Sequence, residues 1–392
     1  MNKKKKTYLD CAATSFPKPE AVYRTVERFA REVGIGNDRG SYREGKESSE
    51  FIRRAREGIG SILHAAPREI VFSSGATESL NILLFGLLRE GDHVIISPFE
   101  HNAVTRPLQY LAEERGISVT RLPGSLRTGI DPDDVKKSIL PNTRLCLVSH
   151  ISNAFGGAAP IKEIGAVLRG FDNVVFAVDG AQSTGTHPLD VEALGIDFLA
   201  FSGHKGLLGP TGTGGFFIRK KLVEKVLPLK FGGTGFRSGE GTFIAELPYK
   251  YEVGTQNTWG IAGLAAGVEF INEKGVPNIS RHITRLTRKA VAGLEKIAGL
   301  TLYLPGKPVH HGVVSFNLRS LPARDTASLL DRIFNIKVRA GIHCSPEGHR
   351  TAGTYPAGTV RASFGIFTSE EEIDYFCASL GELVQSVGGA DG

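Results

Sequence analysis

Between residues 17 and 66 apolar side chains recur every three or four positions, first Ala21, Val22, Val26, Phe29 and Ala30, later Phe51, Ile52, Ala55, Ile59, Ile62 and Leu63. That spacing predicts helices with one buried face. The polar, glycine-bearing stretch 34–42 interrupts it and reads as a loop, either plain connection or the mouth of a binding site. From residue 69 the period changes. Short apolar runs at 69–72 and 93–96 each precede a helical pattern, at 78–85 and 104–115, and further runs follow at 144–148, 174–178, 198–201 and 215–218. Uninterrupted apolar strands alternating with helices predict a mostly parallel sheet covered by helices on both faces. Ligands of such sheets sit at the carboxyl ends of the strands.

Beyond about residue 260 the pattern becomes two long helices, at 261–274 and 280–297, then strands at 313–318, 336–339 and 360–364 with helices at 326–334 and 369–387. This predicts a smaller α+β unit. The fold class is therefore α/β, a large domain over 16–265 and a small one over 266–392 joined by residues 1–15, in keeping with a chain of 392 residues that exceeds one growing core.

Composition changes this picture little. Apolar residues make up 41% and charged residues 22%, and no apolar run reaches membrane-spanning length, so a soluble protein is expected. The basic start, Met1 to Lys6, leads into no signal-peptide core and reads as a solvated tail, which gives a cytoplasmic expectation. The net charge of +6 favours anionic ligands, but no basic stripe with interleaved aromatics points to nucleic acid. Cys11, Cys146, Cys344 and Cys377 have no paired spacing, so neither a metal site nor a disulfide framework is expected.

The chemistry gathers at strand exits. Lys205, in Phe201-Ser202-Gly203-His204-Lys205-Gly206, is either a surface cation or an amine held in a tight turn, able to form a Schiff base with a carbonyl. Ser73-Ser74-Gly75-Ala76-Thr77 opens a helix; its small residues and the helix dipole suit a phosphate, while Thr77 can equally be a cap. His101 leaves another strand, as a surface residue or as a catalytic one that stacks on a planar ring or acts in proton transfer. Asp179 ends an apolar strand, where a buried carboxylate needs a cation such as a protonated heterocyclic nitrogen, unless it caps the next turn. One loop or short helix and one strand fit between Asp179 and Lys205, so both can reach one crevice.

Taken together, Asp179-Gly180-Ala181-Gln182, Ser202-Gly203-His204-Lys205 and the upstream Gly75-Ala76-Thr77 resemble the pyridoxal 5'-phosphate site of the class V aminotransferase family. The opening Tyr8-Leu9-Asp10-Cys11-Ala12-Ala13-Thr14 is similar to that of its cysteine desulfurase branch. The resemblance implies Lys205 as the Schiff-base lysine, Asp179 on the pyridine nitrogen, Gln182 on the phenolic oxygen with Asn153 nearby, and His101 stacked on the ring. It implies that Gly75, Ala76, Thr77, Ser202 and His204 hold the phosphate, with Thr255 reaching it from a second subunit, hence a homodimer.

In the second domain, Arg339 and Arg361 on adjacent strands can clamp a substrate carboxylate, or form surface ion pairs. Arg361 matches the family's carboxylate-binding arginine, Arg339 a second arginine near the substrate, and Cys344 the cysteine that takes sulfur. The short connection from Cys344 to Arg361 is similar to that of group II desulfurases, which include selenocysteine lyases. Ile342 and Tyr42 stand where histidines are common there, and Cys11 where asparagine is. The expected activity is conversion of L-cysteine to L-alanine with a persulfide on Cys344, for delivery to an acceptor protein or thiol. Selenocysteine lyase, aminotransferase and non-catalytic sulfur-transfer scaffold are the other readings.

Overall fold

The computed structural model describes residues 6–36, 42–234, 244–306 and 311–388. Residues 1–5 of the expected basic tail, 37–41 of the polar loop and 389–392 of the glycine-rich end lie outside these residues.

Seven strands form the large sheet, in the order Ile70–Ser73, Gly214–Ile218, Phe198–Ser202, Val175–Asp179, Thr143–Ser149, His93–Ile96 and Ser118–Arg121. The last five run parallel, and Gly214–Ile218 runs antiparallel to both its neighbours. The mostly parallel α/β sheet expected from the alternating pattern is thus present.

Because successive strand residues point to opposite faces, a strand apolar throughout needs cover on both sides. Leu199 and Phe201 pack with Ile52 and Ile59 of the helix Arg43–Leu63 and Leu264 and Val268 of the helix Thr258–Lys274. Phe198 and Ala200 pack instead with Leu80 and Leu84 of the helix Ala76–Leu87 and Val104 and Leu108 of the helix Asn102–Arg115. Cys146 is fully buried in the first of these layers.

A second, antiparallel sheet has the order Arg339–Gly341, Thr359–Ser363, Val313–Leu318 and Leu300–Tyr303. Val314, Phe316 and Val360 pack there with Phe334, Phe376 and Leu380 of the helices Ala323–Phe334 and Glu370–Gly388. One expectation is corrected. The run 336–339 is not a single strand: Ile336–Lys337 pairs in parallel with Thr7–Tyr8, and Arg339–Gly341 joins the four-stranded sheet. Each piece satisfies a different backbone partner, so the apolar run conceals a change of sheet.

No helix among the described residues is long and apolar enough to cross a membrane.

Candidate active site

Lys205 lies in the turn after the strand Phe198–Ser202, and the flanking glycines explain its placement. A Cβ on Gly203 would come 2.3 Å from Thr213 Oγ1, and one on Gly206 would come 2.3 Å from the Thr184 carbonyl oxygen. Only glycine lets this turn press so closely on both neighbours. The carbonyl of His204 is held by the backbone N–H of Ser15 at 3.1 Å and by Lys18 Nζ at 2.8 Å. Burial pulls the Lys205 amine down to about 8; Asp179 opposes this, and the Arg361 and Arg339 charges add to the lowering.

The parallel strands end on one edge of the large sheet, and there Lys205, Asp179, Gln182, Asn153, Ser202, His101, Ala76 and Thr77 line one crevice of about 380 Å³. Asp179 is buried at its strand end and accepts the Ala181 N–H at 2.9 Å. His101 caps the helix Asn102–Arg115, its Nδ1 accepting the Ala103 N–H at 2.9 Å. In the neutral ring the proton is then on Nε2. Burial lowers the His101 pKa from its ordinary value, opposed by Asp179. Gln182 Nε2 donates to the Ala12 carbonyl at 3.0 Å.

Gly75 stands at the N-terminus of the helix Ala76–Leu87, with no side chain capping the first turn. The free N–H groups and helix dipole there suit an anion. Thr77 is exposed. His204 Nδ1 is buried without a partner among the described residues, and burial followed by the Lys205 charge lowers the His204 pKa to about 4.

The second sheet supplies the other side. Arg339 and Arg361 face each other directly across their antiparallel pair. Arg361 is 1% exposed; its Nη1 donates to the Asn153 carbonyl at 2.9 Å and its Nη2 to Asp10 Oδ1 at 2.7 Å. Arg339 Nη2 lies 3.9 Å from Cys344 Sγ. Cys344 and His343 both take left-handed backbone angles, φ 57° and 51°, which cost L-residues about 1 kcal/mol or more each.

Bonds to the large sheet's loops hold that conformation. Asn102 N–H donates to the Cys344 carbonyl at 2.8 Å, Asn153 Nδ2 to the His343 carbonyl and Ser345 Oγ to the Glu100 carbonyl at 3.1 Å. Cys344 is therefore fixed beside the crevice.

Thr255 is exposed and does not line this crevice within one chain. Two contributors had no signal strong enough to single them out. Asp10 was legible only as part of a motif, since its partner Arg361 is 351 positions away. Glu100 stands beside His101 in the strand-exit loop, but only the fold buries it fully and gives it Ser97 and Ser149 as partners.

The family description Aminotransferase class-V matches residues 7–376. The chain belongs to that family. Relatives within it include a probable cysteine desulfurase of Methanothermobacter thermautotrophicus, 35% identical over 387 residues that cover 97% of this chain and 94% of the relative. Among solved structures, the apo cysteine desulfurase of Thermococcus onnurineus NA1 is 34% identical with a TM-score of 0.91, covering 97% of this chain and 95% of that one. C-DES, solved with glycine covalently linked to its PLP cofactor, is 25% identical with a TM-score of 0.84, covering 96% of each chain. The family resemblance read from the Asp179, Lys205 and Gly75 motifs thus holds over nearly the whole chain.

Proposed function

We propose that the protein is a pyridoxal 5'-phosphate-dependent cysteine desulfurase that converts L-cysteine to L-alanine and leaves a persulfide on Cys344. The carrying observation is the meeting of two sets of groups: Lys205 and Asp179 in one crevice, and Arg339, Arg361 and Cys344 on the sheet edge beside it. The relatives known as cysteine desulfurases support the same reading.

The residues suit the cofactor by their own chemistry. Lys205 offers an amine with a pKa of about 8, Asp179 a buried carboxylate for a protonated ring nitrogen, and the uncapped helix at Gly75 and Ala76 a seat for phosphate. Thr77, Ser202 and His204 would add donors there, and Gln182, Asn153 and His101, which line the same crevice, would hold the ring. When bound, the cofactor supplies an electron-accepting ring that eases loss of the substrate α-proton and cleavage of its C–S bond.

Lys205 Nζ takes the proton from the substrate α-carbon, a role for which an amine of lowered pKa is suited near neutral pH. Arg361 binds the α-carboxylate through its guanidinium. Cys344 attacks the substrate sulfur as a thiolate with Arg339 beside it. The new S–S bond forms as the Cβ–S bond breaks, the electron pair stays on carbon, and a proton taken up at Cβ together with the α-proton returned to Cα by Lys205 completes alanine. Thr255 would serve the phosphate of a second subunit in a homodimer; its exposure, with Trp259 exposed four residues on, supports that arrangement. The four thiols, none in a disulfide, suit a cytoplasmic setting.

The test is intact-mass spectrometry after incubation with L-cysteine, alongside alanine release. Wild type gains one sulfur and Cys344→Ala does not. Undiminished alanine formation by Cys344→Ala would sink the assignment.

A further inference from the structure

We propose that Asp10 is an internal carboxylate ligand of Arg361, one that incoming carboxylates must displace and that thereby raises the intrinsic affinity a carboxylate needs to occupy the site. The inference rests on the reading of Arg361 as the substrate-carboxylate anchor.

Three observations carry it. The first is the state of Arg361. Its guanidinium has five N–H donors, yet Nη1 and Nη2 meet only Asn153 and Asp10, and Nε is buried with no partner among the described residues. A buried cation with donors to spare is built to take a carboxylate, and one is already in contact. The second is that Asp10 is held in place from both sides. Ser363 N–H donates to the Leu9 carbonyl at 2.7 Å, Ala12 N–H donates to Ser363 Oγ at 2.9 Å, and Tyr8 Oη donates to the Asp10 carbonyl at 3.2 Å. Ser363 lies two residues beyond Arg361 on one strand, so both point to the same face. The third is exposure: the Asp10 side chain is 19% exposed against 1% for Arg361, so the carboxylate can leave toward solvent while the guanidinium stays.

An intramolecular ligand scales the apparent affinity of every external one by the fraction of time it leaves the site free. Simple carboxylates, which have no second anchor, are then held off Arg361. An amino acid that is also secured through its amine can still displace Asp10. The pair is also close to neutral, leaving Arg339 as the positive charge beside Cys344 without an ion-pair partner among the described residues.

The experiment uses the purified holoenzyme with propionate, which has no amine or thiol. Binding is measured by calorimetry and by competition with L-cysteine, for wild type, Asp10→Asn, Asp10→Glu and Arg361→Lys. Asp10→Asn binds propionate at least fivefold more tightly than wild type, Asp10→Glu stays within twofold, and Arg361→Lys loses the site. Unchanged or weaker propionate binding by a folded Asp10→Asn overturns the proposal.

A crystal of wild type with propionate provides a check that no variant can confound. Propionate on Arg361 with Asp10 turned away is expected; propionate bound with Asp10 still on Nη2 overturns it. Calorimetry needs no turnover, so failure of the desulfurase assignment would show separately, as absence of alanine from L-cysteine.

Discussion

The Arg339 guanidinium lies 3.9 Å from the Cys344 sulfur and directly across the strand pair from Arg361. One arginine thus attends the sulfur while the other is buried against Asp10 and Asn153. A guanidinium beside the attacking sulfur can hold and orient it for attack. Arg339→Ala is expected to slow persulfide formation on Cys344 about tenfold, since a neighbouring charge acts on the order of 1.4 kcal/mol. Single-turnover mass spectrometry measures it, with an unchanged cofactor absorbance band showing that the Lys205 side is intact. An unaltered rate would remove Arg339 from the sulfur step.

Lys205 carries a pH signature that needs no substrate. Burial lowers its pKa from 10.5 to about 8 in the folded protein. Between those values the unfolded chain holds the proton and the folded one has released it, so stability rises with pH across that window and is flat below it. In the cofactor-free protein, Lys205→Met removes this slope and is more stable than wild type at pH 7, by on the order of 3 kcal/mol. Denaturant titrations of both forms at pH 7 and pH 10 decide the matter; parallel behaviour would mean that burial does not strain this amine.

How much of this was legible in the sequence follows from what each residue answers to. The strands ending at Ser149, Asp179 and Ser202 are buried on both faces, so their central residues form an unbroken apolar run that announces itself. The strands Ser118–Arg121 and Leu300–Tyr303 lie at sheet edges, where much of their surface meets solvent and no such run is required. Lys205, Asp179 and Gly75 were readable because each sits where a strand exits, and local sequence dictates that turn. The Asp10 contact with Arg361 was not, because it depends on how the first residues dock on the last strand of the second sheet.

Glu252 ties the Thr255 loop to the strand that leads into Gly75. Its carboxylate meets Arg56 through two bonds of 2.8 Å, and Oε1 also accepts the Phe72 N–H at 2.7 Å. Arg56 and Glu252 side chains are 12% and 4% exposed, so removing one leaves a buried charge without compensation. Glu252→Ala is expected to destabilise the fold by about 3–5 kcal/mol. Arg56→Met with Glu252→Leu recovers much of that, because the pair is worth less than the cost of breaking it. Thermal unfolding of the single and double variants tests this, and additive losses would refute the coupling.

Glu100 is wholly buried with no cation against it among the described residues. Ser97 Oγ and Ser149 N–H donate to Oε1, the latter at 2.8 Å, and Ser149 Oγ donates to Oε2 at 2.7 Å. Burial pushes its pKa up to about 7; these bonds oppose the rise, and the negative charge of Asp179 adds to it. With the folded value above the unfolded 4.5, the folded protein holds the extra proton between them. The stability contributed by neutral Glu100 is complete below pH 4.5, is lost as pH rises to 7 and changes no further above. Glu100→Gln keeps the shape and stays neutral, so its advantage over wild type should grow by on the order of 3 kcal/mol from pH 4.5 to pH 8. Paired urea titrations at those two pH values measure it. An advantage that does not grow would mean that Glu100 ionises as an ordinary carboxylate, satisfied by its two serines alone.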